Sequence, residues 1–169
     1  MYRIIGIALV VVSCGGFFWK KIQKLSEKYN NLKELKKAVT HLKHELSHSA
    51  CELPLIFKKV SQLTEGEVSC VFKNIGLALT ENEISDMKTV WQNTGGKELL
   101  LPDSARKVIE ELIYNIGKKE LDTEIEKIES AVVSLEQIEA EEREKTQKDK
   151  KLLYTIGVSF AAAVVILFI

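Results

Sequence analysis

Proline and cysteine are scarce in this chain. Two prolines and nine glycines in 169 residues exclude collagen-like and low-complexity classes. Three cysteines, an odd number, do not make the framework of a disulfide-stapled secreted domain. Neither sign of charge is in excess: 24 lysines and arginines meet 24 aspartates and glutamates. Bulk electrostatic capture of nucleic acid is therefore not expected. Alternating β-branched runs and hairpin dipeptides are missing, which leaves nothing to build a sheet from. No glycine-rich loop leads into Lys-Ser/Thr, and there is no His-Glu-x-x-His and no nucleophile elbow. The expectation is a non-enzymatic protein with no cofactor, no metal, no nucleic-acid partner and no small-molecule substrate.

What is present is polarised along the chain. Nearly a third of the apolar residues fall within 4–19 and 154–169. The first run, from Ile4 to Trp19, holds no charge between Arg3 and Lys20. As a helix it spans ~24 Å, short of a ~30 Å hydrocarbon core. Snorkelling by Arg3 and Lys20, with Trp19 at the interface, covers the shortfall, and Lys21 adds to the inner basic flank. The second run ends the chain and is preceded by Lys145, Lys148, Lys150 and Lys151. Basic residues flank the inner side of both runs, so both orient the central region to the cytoplasm. The expected division is a transmembrane helix over 4–21, a cytoplasmic helical bundle over 22–151 and a transmembrane helix over 152–169. Two alternatives stand beside this. A 16-residue apolar run also suits a buried helix. Val11-Val12-Ser13-Cys14 resembles a lipoprotein processing site, which would leave an outward-facing binding module anchored by lipid on Cys14.

The central region reads as an all-α bundle of about six helices. Leu25, Leu32, Val39 and Leu46 recur every seven residues, with Leu35 and Leu42 interleaved, which predicts one helix over 20–51. Pro54 interrupts it. Ile56, Phe57, Val60 and Leu63 predict a second helix, ended by Gly66. Val68 to Leu79 gives a third. Ile84, Met87 and Trp91 predict a fourth, ended at 93–96. Pro102-Asp103-Ser104 opens a fifth, with Gly117 as its C-terminal glycine. Asp122 is a plausible cap for the last helix, which carries Ile125, Ile128, Val132 and Leu135. Beyond Ile138 this helix turns polar. It is read as a solvated, charged helical stalk over 139–151, with a disordered linker as the competing description.

Charge separates between the first and last of these helices. Residues 20–53 carry eight lysines against four glutamates, and residues 120–151 carry six bases against eleven acids. Opposite signs favour their lying side by side. All three histidines, His41, His44 and His48, share one helical stripe with Cys51, which raises a metal-responsive helix as a further alternative. His41 and Cys51 are ~15 Å apart along a helix axis, so one helix cannot close four ligands round an ion. Packed or solvated histidines are the expectation.

The order of short motifs resembles the stage III sporulation protein AB family. The carrying stretches run from Leu42 to Pro54, including Glu45, then Trp91, then Ile116-Gly117 with Leu121-Asp122. The last runs from Lys151 through Tyr154 and Gly157 to Val158 at the entry to the terminal helix. His48 stands where the family usually has an aromatic, Glu52 where a first proline is common, and Leu121 where a serine is expected. The resemblance implies structural or partner-contact roles for Glu45, Pro54, Trp91, Gly117, Asp122, Tyr154 and Gly157. It also implies helical cytoplasmic domains like those of the type II secretion inner-membrane F protein. The expected place is the mother-cell membrane around the forespore. The expected partners are the bilayer, the stage III sporulation AA ATPase and other channel components.

Overall fold

The computed structural model describes residues 2–48, 51–81, 86–117 and 121–168. Within its two long helices, side chains are described at 16, 19–48, 122–160, 162, 163 and 166. Six helices account for the regular structure: α1 (Tyr2–His48), α2 (Leu53–Leu63), α3 (Gly66–Glu81), α4 (Met87–Asn93), α5 (Asp103–Asn115) and α6 (Leu121–Phe168). No strand occurs among the described residues.

The all-α reading holds, but the helix arrangement at the two ends needs correcting. The apolar end runs are not separate helices flanking a bundle of six. They are the outer parts of α1 and α6, which leaves six helices among the described residues. Lysine, glutamate and glutamine fill the joins at 20–24 and 144–151, and no glycine or proline stands there to break a helix. Among the described residues, no helix is long and apolar enough to cross a membrane. The run from Ile4 to Trp19, together with Arg3 and Cys14, falls mostly on side chains outside the described ones. Ile84 also lies outside the described residues.

Two compact units divide the chain. One consists of Met1–Glu27 with Glu142–Ile169, the other of Lys28–Glu141. In the second unit α1 contributes a long buried stripe to the core. Leu32, Leu35, Ala38, Val39, Leu42 and Leu46 form its buried stripe, as the seven-residue spacing predicts, while Leu25 is only half-buried. Against this stripe stand Ile56, Phe57 and Val60 of α2, Phe72 and Ile75 of α3, Trp91 of α4, Ile109 and Ile113 of α5, and Ile128 and Leu135 of α6. Each such side chain, fully buried, contributes roughly 1.5–3 kcal/mol. The Phe57 and Phe72 rings meet at 5.6 Å, tilted by 44°.

Local chemistry sets the breaks. Pro54 does not merely interrupt; it occupies the first turn of α2, where its missing N–H is harmless. Gly66 does not end α2. Thr64 caps that helix, and Gly66, at φ +65°, is the first residue of α3. Asp86 caps α4, accepting from the Lys88 N–H at 3.3 Å and the Thr89 hydroxyl at 3.3 Å. Pro102 precedes α5, and Arg106 donates to the carbonyls of Lys97 (2.7 Å) and Leu99 (2.6 Å), pinning the α4–α5 loop. Gly117 follows the Ile116 cap at φ +79°. Asp122 lies inside the first turn of α6, where its charge suits the helix dipole, rather than at the cap.

In the first unit, residues 142–151 are helical, as part of α6, and not a disordered linker. They are not fully solvated either. Thr146 is only 5% exposed, and Glu142, Asp149, Lys150, Leu153 and Gly157 are half-buried along the same face. Short side chains and the methylene parts of long ones fill that face, which charge counting does not register.

Candidate interaction surface

Most of the polar geometry works on the two edges of the α1 stripe. On one edge Tyr29, Lys36 and Lys43 recur every seven residues and face α6. Lys36 meets Glu139 at 2.6 Å and Lys43 meets Glu129 at 2.8 Å, while the Tyr29 hydroxyl donates to Glu139 at 3.4 Å. The complementary charge of the two helices thus reappears as specific pairs. On the other edge Glu34 accepts the Glu65 N–H at 3.0 Å, and Glu45 accepts from Lys59 at 2.9 Å. Asn31, buried, donates to Glu67 at 2.8 Å and to the Leu100 carbonyl at 3.3 Å, joining α1 to α3 and to the α4–α5 loop.

Glu45, singled out from sequence, therefore belongs to a small cluster. The Lys59 ammonium bridges its carboxylate and the Cys51 sulfur, 3.7 Å away. The hydrogen bond that Lys59 donates to Glu45 raises the lysine pKa above its ordinary value, against the opposing pull of desolvation. Sequence reasoning missed Lys59, which nothing in the local pattern distinguishes from the neighbouring Lys58. Trp91 is fully buried, with Gly96 packed flat on its ring, and its indole N–H has no partner among the described residues. His41 is half-buried, while His44 and His48 are exposed, with ring centroids 4.7 Å apart. No group of three or more histidine, cysteine or carboxylate side chains is arranged to hold a metal among the described residues. A wide, shallow groove runs beside α3, lined by Glu65, Glu67, Cys70, Val71, Glu98 and Leu99.

The remaining motif positions lie in the first unit. Tyr154 is exposed and Gly157 half-buried on α6. Lys20, Lys21 and Lys151 are exposed, Lys150 is half-buried, and Lys148 pairs with Glu144 at 2.6 Å. That hydrogen bond holds the Glu144 carboxyl below its usual range.

This geometry defines an all-α protein whose polar side chains chiefly tie helices to one another. A family model for stage III sporulation protein AB matches residues 3–169, and the chain belongs to that family, whose role is in sporulation. The solved structure of a stage III sporulation protein AB is similar in fold, with a TM-score of 0.63 at 21% sequence identity. The match covers 72% of this chain and 97% of that one. No curated protein matches the sequence.

Proposed function

We infer that this protein is a non-enzymatic, membrane-anchored scaffold in a secretion-like complex acting between mother cell and forespore. In this reading the second unit lies in the cytoplasm and docks the stage III sporulation AA ATPase and other channel components. The supporting observation is the outer part of α6. Leu152, Tyr154, Ile156, Val158, Phe160 and Ile166 are all exposed, on nearly every side of the helix. A helix that exposes this many large apolar side chains is costly in water and suits lipid. Lys148, Lys150 and Lys151 at its inner end favour a cytoplasmic origin for the segment. Lys20 and Lys21 at the inner end of the first run act in the same sense and outnumber Arg3 at its outer end.

Fractionation of sporulating cells tests the anchor, and a reporter inserted at Gly95 tests the orientation. Recovery in the membrane fraction with a cytoplasmically active reporter is expected. Recovery in the soluble fraction, or lipid found on Cys14 by mass spectrometry, would overturn the reading. Co-purification of the AA ATPase with the tagged full chain tests the docking role, and its absence under mild solubilisation would remove that part.

A further inference from the structure

The outward faces of α1 and α6 in the second unit carry opposite charges. On α1, Lys33, Lys37, Thr40, His44 and His48 fall within about 100° of arc, at ~100° per residue. They are exposed or partly exposed, and no carboxylate interrupts them. On α6, Asp122, Glu126, Glu129, Val133 and Glu136 fall within a similar arc, all exposed, with no base among them. Among the described residues, no ion pair engages Lys33, Asp122, Glu126 or Glu136. Lys37 reaches only Glu34, at 3.6 Å, and Lys43 crosses from the edge of one stripe to Glu129 on the other at 2.8 Å. The two stripes therefore lie next to each other on one side of the unit, one basic and one acidic.

Their levels can be matched. Lys36 pairs with Glu139 and Lys43 with Glu129, so α1 and α6 run antiparallel there. At ~1.5 Å per residue, Lys37 stands level with Glu136, Thr40 with Val133, His44 with Glu129 and His48 with Glu126. A two-fold axis parallel to the helices exchanges left and right while keeping every level. It sets the basic stripe of one copy against the acidic stripe of the other, twice over, with half-exposed Val133 and the Thr40 methyl at the centre. A two-fold axis across the helices would instead oppose like charges.

We propose that two copies of this chain associate through this face, about a two-fold axis parallel to α1 and α6. The contact is isologous: the Lys37–Glu136 meeting occurs twice, as do the meetings of His44 with Glu129 and His48 with Glu126. The patch measures roughly 20 Å by 20 Å, well below the area of a standard stable interface. The association is accordingly weak, sensitive to salt and favoured where copies are concentrated. The inference rests on the charge pattern of the second unit alone.

Two differently tagged full-length chains, each with Cys14, Cys51 and Cys70 replaced by serine, provide the test. One carries Lys37→Cys and the other Glu136→Cys, and both are expressed in the same cells before mild oxidation. A disulfide-linked pair of the two tags is expected, at least fivefold above the yield from either variant alone. Absence of the mixed product, or an equal yield from Lys37→Cys alone, would overturn the proposal. A second pair, His48→Cys with Glu126→Cys, reads the charge dependence. Adding Lys37→Glu to both chains should lower its yield several-fold, and further adding Glu136→Lys should restore it; failure of the restoration also counts against the proposal. The product is scored in membrane and soluble fractions alike, so loss of membrane association and loss of pairing are read separately.

Discussion

A methyl group added at Gly96 would lie 2.3 Å from the Trp91 ring. Nothing flexible stands there to give way, because the indole is itself fully enclosed. Gly96→Ala should therefore cost about 3 kcal/mol or more, the range for overpacking that a core cannot absorb. Gly95→Ala should cost less, about 1–2 kcal/mol, from its left-handed φ of +91° alone. Denaturant unfolding of the full chain in detergent checks both. Lys59 makes a prediction of different sign. Its folded pKa is raised above 10.5 by Glu45, so the folded state holds that proton more tightly than the unfolded chain. Its contribution is complete below pH 10.5 and fades as pH climbs through the raised value. Lys59→Met should flatten the alkaline fall in melting temperature, and an unchanged slope would show that Lys59 does not set it.

At the scale of the helix, the seven-residue stripe of α1 carries the clearest consequence. Leu42 is fully buried, whereas Leu55, on the outer side of α2, is 46% exposed. Leu42→Asp should destabilise by several kcal/mol and Leu55→Asp by less than about 1 kcal/mol, measured by thermal melting of the full chain. The stripe was legible in the sequence because its spacing is periodic and local. So were α2 to α5 as separate helices, whereas the merging of the first apolar run with the leucine stripe into one helix, α1, was not. The direction in which a glycine acts was less legible: Gly66 opens α3, because a positive φ serves either end of a helix. The burial of Thr146 was hidden for another reason. Nothing in its polar surroundings on α6 signals a packed face. Lys36–Glu139 and Lys43–Glu129 were visible only as opposite net charge, since the sequence states sign but not partner.

Over the whole molecule, the second unit begins and ends at neighbouring points. Its limits are Lys28 and Glu141, and Tyr29 and Lys36 both reach Glu139 near that junction. Removing the first unit should then weaken the second even though the core residues stay. A fragment spanning 28–141 should melt below the full chain, and a disulfide between Tyr29→Cys and Glu139→Cys should recover most of the loss. Equal melting of fragment and full chain would show that the junction contributes nothing.

That juxtaposition acts on the unfolded chain as much as on the folded one. If the outer parts of α1 and α6 stay together when the core melts, the roughly 110 residues between them cannot wander as a free polymer. They form a loop with both ends clamped, and the disorder gained on melting shrinks. For a clamp closing about 100 residues the chain-entropy estimate is ~4–5 kcal/mol, a sizeable share of the ~5–15 kcal/mol stability of ordinary domains. The paired end helices would then serve as a reversible cross-link, doing without cysteine what a disulfide does elsewhere.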